Sequence, residues 1–138
     1  MALVTWSQSM SVGIPAVDTQ HQSLVELVNR VDEATRAGRS PVELAVVVGE
    51  LVDAMVAHFR TEQALFAEHA YPGARAQRRL HDDLTSRATT LRAGLAAGRK
   101  MITPEVLLYL RDWLRSHIES EGRTFGRFVA STRRVAVA

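Results

Sequence analysis

Residues 58–62, His-Phe-Arg-Thr-Glu, decide how this chain folds, because they place a histidine and a carboxylate four positions apart inside a long apolar-periodic run. In an α-helix this spacing brings the two side chains to within about 40° of each other on one face. Apolar residues recur on the same face at intervals of three and four: Leu44, Val48, Leu51, Met55, Leu65 and Phe66. An ionisable pair on such a stripe costs on the order of several kcal/mol if it is buried without partners. A buried, hydrogen-bonded His–Glu pair would explain this helix taken alone.

The composition predicts one globular domain with a sizeable core. The chain has 138 residues, of which 46% are hydrophobic and 23% charged, and these values are ordinary for folded domains. Cysteine is absent, so any metal ion must be held by nitrogen and oxygen atoms. No apolar run approaches the ~20 residues that a membrane span needs, and the N-terminus lacks a basic-then-apolar leader. We therefore expect a cytoplasmic protein with no membrane partner.

The basic residues raise the question of a nucleic-acid partner. The net charge is only +2, and the 17 basic residues include a single lysine, Lys100. The densest clusters are Arg75, Arg78 and Arg79 and the pair Arg133-Arg134. Phosphate binding is one interpretation of such clusters. Because no interleaved aromatic residues or groove-reading motif accompany them, we interpret them as solvated helix surface and expect no nucleic-acid partner.

An extended N-terminal arm, residues 1–17, precedes the first helix, because this segment lacks helical periodicity. Asp18 is a candidate N-cap, and apolar residues recur on one face from there as far as Gly38. The pair Ser40-Pro41 is the start signal of a second helix, which we expect to end near Ala70.

The segment Tyr71-Pro72-Gly73 separates the second helix from a third, whose apolar face fades by Gly98. Thr103-Pro104-Glu105 repeats the cap-then-proline signal and opens a fourth helix. Residues 131–138 form a tail that we expect to fray. Long amphipathic segments with short connections and no strand-like alternation predict an all-α protein, an up-down-up-down antiparallel four-helix bundle in which residues 1–138 form a single domain.

Each apolar stripe carries at least one side chain that can bind a metal ion. These side chains are His21 in the first helix, His58 and Glu62 in the second, His81 with Gln77 in the third, and His117 with Glu121 in the fourth. Such histidines would repel each other if protonated and would need an ordered polar network if neutral, whereas a cation would hold them together. Imidazole and carboxylate suit iron, zinc or manganese, and bundle cores house carboxylate-bridged metal pairs. The remaining histidine, His69, lies ~16 Å along the helix axis from His58, and we place it at the surface.

The order and spacing of these residues resemble those of bacterial hemerythrins over nearly the whole chain. The resemblance is carried by Trp6 with Val12-Gly13-Ile14, by Asp18-Thr19-Gln20-His21, by His58-Phe59 with Glu62, by Tyr71-Pro72 with His81, and by Trp113-Leu114 with His117-Ile118. It implies a non-haem di-iron centre in the bundle core that binds O₂ reversibly at one open coordination position. By position, the implied ligands are His21 and His58 for one iron and His81 and His117 for the other, with Glu62 as a bridge. The apolar lining expected around bound O₂ is Leu24, Phe59, Phe66, Trp113 and Ile118.

Two positions depart from the pattern of the family. Gln77 stands where the family has a histidine, and its amide oxygen is at best a weak ligand. Gly122 stands where the family has a bridging aspartate. We expect Glu121 to supply the missing bridge, because it lies four residues after His117 and is one methylene longer than aspartate; a surface residue beside Glu119 is the alternative. A glycine inside a helix costs on the order of 1 kcal/mol relative to alanine, and the sequence offers no reason for it.

Three functions fit this site. The first is an O₂ carrier, store or sensor, as the resemblance implies. The second is an oxidase-like or peroxide-consuming enzyme at an altered di-iron or mononuclear iron centre, because a lost protein ligand leaves more exchangeable positions on the metal. The third is a degenerate bundle that serves as an interaction module.

The expected partner of the metal is dioxygen or peroxide, and the expected assembly is a monomer or weak oligomer. Because metal binding requires neutral imidazoles, we expect metal loss as the pH falls below the histidine reference value of about 6.5.

Overall fold

The computed structural model describes residues 2–137, and its helices confirm the predicted four-helix bundle. The elements are a short 3₁₀ helix in the arm (Gln8–Met10), α1 (Pro15–Arg36), α2 (Pro41–Glu68), α3 (Ala74–Ala96), α4 (Pro104–Ser116), a π-helical turn (His117–Gly122) and α5 (Arg123–Val137). The last three are continuous and together form the fourth rod of the bundle. No strand occurs within the described range. Between residues 2 and 137, none of the helices combines the length and the apolar character needed to cross a bilayer.

The predicted start signals of the second and fourth helices are present as hydrogen bonds. Ser40 Oγ accepts a hydrogen bond from the backbone N–H of Glu43 at 3.2 Å, and Pro41 follows as the first helical residue. Thr103 Oγ1 accepts one from the backbone N–H of Val106 at 3.3 Å. These caps satisfy N–H groups that the first turn of a helix leaves without an intrahelical acceptor, so the local sequence sets both helix starts.

The start of α1 differs from the prediction. The helix begins at Pro15, and Asp18 lies inside its first turn instead of capping it. The Asp18 carboxylate faces the arm, where it accepts hydrogen bonds from Ser11 Oγ at 2.5 Å and from the backbone N–H of Val12 at 2.9 Å. Asp18 therefore fastens the arm to α1, a contact between segments that helix-start rules do not anticipate.

The arm lies along the bundle, as predicted, but it ends at Ile14. Near its start, the backbone N–H of Val4 donates to Asn29 Oδ1 at 3.0 Å, and Asn29 Nδ2 donates back to the carbonyl of Val4 at 2.8 Å. Val4 and Val12 are buried against the helices. At the other end of the chain, α5 extends to Val137, and Ala138 lies outside the described residues, so the fraying expected for residues 131–138 stays a prediction.

Two apolar clusters fill the bundle, and a polar layer lies between them. In α1, Val17 belongs to one cluster and Leu24 to the other, with His21 between them. In α2, Phe59 and Phe66 flank Glu62 in the same way. The histidines and the carboxylate thus occupy a layer that is closed at both ends by hydrocarbon.

Candidate metal centre

The polar layer gathers histidines from all four rods around one carboxylate. His21 comes from α1, His58 and Glu62 from α2, His81 from α3, and His117 from the first position of the π turn. All five side chains are buried. The spacing of four in α2 puts His58 and Glu62 on the same inward face, as the periodicity predicts. The structure therefore brings together the five side chains for which the sequence pattern was clearest.

One oxygen atom, Glu62 Oε1, lies at the middle of this group. It is 3.0 Å from His58 Nε2, 3.1 Å from His117 Nε2 and 3.4 Å from His81 Nε2. The Nε2 atoms of His58 and His117 are themselves 3.1 Å apart. The ring of His21 completes the group, with its centroid 4.7 Å from that of His58 and 5.2 Å from that of His117. One potential ligand atom from each of His21, His58, Glu62 and His117 lies within 4.8 Å of all the others.

Hydrogen bonds on the outer edges of two rings orient their Nε2 atoms toward the centre. His58 Nδ1–H donates to Gln20 Oε1 at 2.7 Å, and Gln20 Nε2 is in turn held by Thr61 Oγ1 at 3.0 Å. His117 Nδ1–H donates to Glu121 Oε1 at 3.2 Å. A neutral histidine that donates from Nδ1 has its lone pair on Nε2, so each of these rings, when neutral, is held in the tautomer that coordination requires.

Several buried polar atoms of the cluster find no hydrogen-bond partner among residues 2–137. They are both ring nitrogens of His21, Oε1 of Glu62 and Nε2 of His81. Glu62 Oε1 is close to ring nitrogens, but it does not meet them at hydrogen-bonding angles. A buried polar atom without a partner costs about 1–3 kcal/mol, and the cost is larger for a charged group. A cation bound to Glu62 Oε1 and to one ring nitrogen of His21 would satisfy both atoms, so the donor set fits a metal ion.

Burial and mutual charge set the protonation of the metal-free cluster. Burial, followed by the charges of His117 and His58, lowers the pKa of His21 to about 3. Burial alone would lower the pKa of His117, but the negative charge of Glu62 and the hydrogen bond to Glu121 outweigh it and raise that pKa to about 9. Burial alone would raise the pKa of Glu62, but the charge of His117 holds it well below its ordinary value. At neutral pH the cluster therefore carries a proton on His117 beside an ionised Glu62.

Glu121 does not occupy the bridging place that the sequence analysis expected. Its carboxylate contacts Nδ1 of His117, whereas the Nε2 atom on the opposite side of that ring faces Glu62. Its side chain is 21% exposed, against 1% for His117. The cause is the π turn, whose hydrogen bonds join residues five apart instead of four. This winding turns the buried Gly122 toward the centre and leaves Glu121 at the rim.

The structure accounts for the glycine at position 122. A Cβ atom there would lie 3.2 Å from His21 Cε1, 3.2 Å from Val12 Cγ1 and 3.1 Å from the carbonyl oxygen of His117. These contacts are tighter than most Cβ contacts in proteins, so the His21 ring and the arm leave little room for a side chain where the resemblance implies an aspartate.

Gln77 and His69 remain apart from the cluster. Gln77 is half-buried one turn before His81, and its side chain forms no hydrogen bond within the described part of the chain. His69 follows the end of α2, where its ring centroid lies 6.1 Å from that of Phe125. His69 is half-buried, somewhat less exposed than the surface position expected for it.

The expected apolar lining surrounds the cluster. Leu24, Phe59, Phe66 and Ile118 are buried, and Trp113 is half-buried. Phe59 stacks on the ring of His81 at 3.9 Å with an interplanar angle of 5°. Trp113 lies 5.7 Å from the ring of His117 at 23°.

A small cavity of about 80 Å³ reaches the cluster beside His81, His117 and Glu121. Trp113 and Tyr109 also line it. Larger clefts exist, including one of about 580 Å³ between α1 and α2, but the lining of that cleft includes none of the cluster's residues. This cavity therefore has the size of a very small molecule.

The residues that support the histidines from outside could not be identified from the sequence. Gln20 and Thr61 hold His58, and Gln63 Nε2 lies 3.3 Å from Nδ1 of His81. Gln20 and Gln63 each neighbour a predicted ligand in sequence, which was the one available signal. Their partners lie on other helices, so spacing within one helix could not identify their roles.

Comparisons with known proteins agree with this arrangement. Residues 12–129 match the family described as the hemerythrin HHE cation binding domain. Bacteriohemerythrin of Stenotrophomonas maltophilia is 30% identical over 125 residues, which cover 91% of this chain and 80% of that protein. Bacteriohemerythrin of Methylococcus capsulatus is 26% identical over 127 residues, covering 91% and 96%. The crystal structure of a wild-type hemerythrin matches the fold with a TM-score of 0.84 at 25% identity, covering 91% of this chain and 97% of that one.

Proposed function

Because the chain belongs to the hemerythrin family, whose cation-binding domain matches residues 12–129, we propose that the protein binds iron in the core of its bundle and, through the iron, dioxygen. In this role it would act as an O₂ carrier, store or sensor. A ferrous ion held by imidazoles and a carboxylate would supply the electrons and the open coordination position that O₂ binding needs.

The observation that carries the proposal is the set of unpartnered buried atoms in the polar layer. Both nitrogens of His21, Oε1 of Glu62 and Nε2 of His81 lack hydrogen-bond partners within residues 2–137. A structural histidine cluster would be expected to satisfy these atoms internally, because each unsatisfied group destabilises the fold. A nitrogen-and-oxygen donor set without thiolate suits iron among the common metals, and zinc and manganese are the competitors that an experiment must exclude.

The residues around the donors support reversible binding of a small apolar gas. Gln20 and Glu121 would hold the imidazoles of His58 and His117 in the orientation that offers Nε2 to the metal. The buried side chains of Phe59 and Ile118 would keep water from the bound gas. Exclusion of water slows the loss of electrons from iron, so this lining favours release of O₂ unchanged.

The small cavity favours a second candidate, an enzyme that consumes peroxide with electrons from an external reductant. Its volume of about 80 Å³ suits dioxygen or hydrogen peroxide better than a larger organic substrate. Polar side chains, Glu121 and Tyr109, line it beside His81 and would stabilise a polar ligand better than an apolar one. The same preparation tests both candidates.

Metal-free protein should be loaded with Fe²⁺ under argon, desalted, and followed by absorption spectroscopy while O₂ and argon alternate. A spectral change that reverses over several cycles supports the carrier, whereas steady turnover of added peroxide and reductant supports the enzyme. His58→Ala should abolish the iron-dependent signal, and His69→Ala, which changes a histidine of the same helix region outside the cluster, should keep it. Retention of zinc or manganese in preference to iron, or of no metal, would contradict the proposal.

A further inference from the structure

We propose that the cluster holds a single metal ion, where the family resemblance implies a pair. Its protein ligands are His21, His58, Glu62 and His117. The inference rests on the proposed function in one respect, that a metal ion occupies the polar layer. It replaces a two-ion site by a one-ion site. A lone ion with four protein ligands keeps exchangeable coordination positions that a small molecule can occupy.

The position of Glu62 is the first reason. A carboxylate that bridges ions about 3.5–4 Å apart presents one oxygen to each of them. In this structure histidines from both expected pairs approach the same oxygen: Oε1 lies 3.0 Å from His58 Nε2 and 3.1 Å from His117 Nε2. Glu62 therefore directs one oxygen toward a single metal position instead of bridging two metal positions.

The distance between His58 and His117 is the second reason. The resemblance assigns these histidines to different irons, yet their Nε2 atoms are 3.1 Å apart. Nitrogen ligands at about 2.1 Å from one ion and at right angles to each other are ~3.0 Å apart. The two Nε2 atoms, which share a hydrogen bond in the absence of metal, thus already lie at the separation of neighbouring ligands on one ion.

The shortage of donors for a second ion is the third reason. Gln77 and Gly122 stand where the resemblance implies a histidine and a second bridging carboxylate, and the carboxylate of Glu121 contacts the outer nitrogen of His117. Of the side chains implied for that ion, His81 is the one left. Its Nε2 lies 3.4 Å from Glu62 Oε1, and it falls outside the four-residue donor group.

His81 acquires a different role in this arrangement. Gln63 Nε2 lies 3.3 Å from His81 Nδ1, and with the amide donating there, the ring proton is on Nε2, which then faces the centre as a hydrogen-bond donor. The ring is held in place by stacking on Phe59. Because His81 also lines the small cavity, it is placed to donate a hydrogen bond to a small molecule that arrives there.

Metal stoichiometry tests the inference without measuring any activity. Metal-free protein is saturated with Fe²⁺ under argon and desalted, and bound iron is counted by elemental analysis and by native mass spectrometry. A parallel sample with Mn²⁺ is examined by electron paramagnetic resonance, which separates an isolated ion from an exchange-coupled pair. We expect one ion per chain and the spectrum of an isolated ion.

A matched pair of variants distinguishes the two cavity-lining histidines. His81→Gln should keep one ion per chain with an affinity within about threefold of the original, whereas His117→Gln should lose at least tenfold in affinity, as expected for a ligand. Circular dichroism establishes that both variants are folded, and His81→Ala with His117→Ala replaces the pair if either is not.

The outcomes separate the inference from the proposed function. Two ions per chain, a coupled Mn²⁺ spectrum, or loss of the ion from His81→Gln would overturn the single-ion site while leaving iron binding intact. Absence of any bound metal would instead overturn the proposed function, and the single-ion site with it.

Discussion

Replacing Gly126 by alanine should push the N-terminal arm off the bundle and weaken the metal site beneath it. A Cβ atom on Gly126 would overlap the carbonyl oxygen of Val12 and lie 3.1 Å from its carbonyl carbon, and both are backbone atoms. Gly49 in α2 is the matched control, because it is also inside a helix. There the new Cβ would meet the guanidinium group of Arg92 at 2.9 Å, and that side chain is 48% exposed and can move away.

The two substitutions gain the same helix propensity, but they differ in the steric overlap that the new Cβ atom creates. Each gains about 1 kcal/mol of helix propensity when glycine becomes alanine. At Gly126, non-bonded carbon–oxygen contacts of ~3.3 Å require the arm to retreat by about 1 Å. Overpacking of this kind costs about 1–3 kcal/mol. Gly126→Ala should therefore be less stable than Gly49→Ala by about 1–3 kcal/mol, which corresponds to roughly 3–10 °C in Tm for a chain of this size.

Thermal unfolding of the metal-free variants measures this difference, and metal release to a chelator measures its effect on the site. Val12 Cγ1 and His21 Cε1 pack against the same face of Gly122, so a displaced arm uncovers the His21 ring. We expect the ion to leave Gly126→Ala at least several-fold faster than Gly49→Ala. Equal melting temperatures together with equal release rates would refute the seating of the arm described above.

Four further predictions concern the proton and hydrogen-bond network. The pKa of His117 is raised to about 9, so below that pH a metal ion must displace a proton to bind. The affinity for Zn²⁺ should therefore rise up to about tenfold per pH unit between pH 6.5 and 8.5. A Zn²⁺ affinity that does not change with pH in calorimetric titrations would contradict this. Burial lowers the pKa of His21 to about 3, so below about pH 6.5 the unfolded chain binds more protons than the folded chain. Urea titrations of the metal-free protein should therefore show the free energy of unfolding falling as the pH is lowered from 6.5 toward 3. Gln20→Leu removes the acceptor of His58 Nδ1 and should weaken metal binding about 10–100-fold, whereas Gln22→Leu, at an exposed neighbouring position, should not. Asp18→Ala removes two hydrogen bonds to the arm and should lower the free energy of unfolding by about 1–3 kcal/mol, with Asp53→Ala at a 77% exposed position as the control in the same unfolding assay.

The pH range for metal binding illustrates how the structure changes a sequence-based expectation. The reference pKa of histidine predicted metal loss below about pH 6.5. The histidines do not share one value in the folded chain, because His21 is buried beside other imidazoles and His117 is buried between two carboxylates. Competition by protons therefore begins near pH 9 at His117, and His21 contributes no competition until the solution is strongly acidic.

Local signals were sufficient for the helices and for the inward-facing histidines. Ser40 and Thr103 cap the helices that their sequence patterns predict, since a cap and its acceptors lie within a few residues of each other. The His58–Glu62 spacing placed both side chains in the core for the same reason. Contacts between segments were not predictable in this way. Asp18 is an example, because its residue type fits an N-cap, but its carboxylate accepts hydrogen bonds from the N-terminal arm.

The π turn was the feature that no sequence pattern indicated. An α-helix would have placed Glu121 about 40° from His117, and that geometry was the basis for expecting a bridge. A turn with hydrogen bonds five residues apart changes the register, so Gly122 faces the interior and Glu121 faces the outer nitrogen of His117. The absence of a Cβ atom at position 122 is what permits the arm and His21 to approach there.

The charge balance of the site links the absence of a carboxylate at position 122 to the position of Glu121. Within the described residues, Glu62 is the one buried carboxylate of the cluster, and Glu121 adds a second negative charge through His117. These two charges balance one divalent ion. A pair of divalent ions would leave two positive charges in a layer closed on both sides by hydrocarbon. Burying an uncompensated charge costs on the order of several kcal/mol, even after the protein relaxes around it. Restoring an aspartate at position 122 would relieve that imbalance, but its Cβ would meet His21 and Val12 at 3.2 Å, so the packing that seats the arm also opposes a second ion.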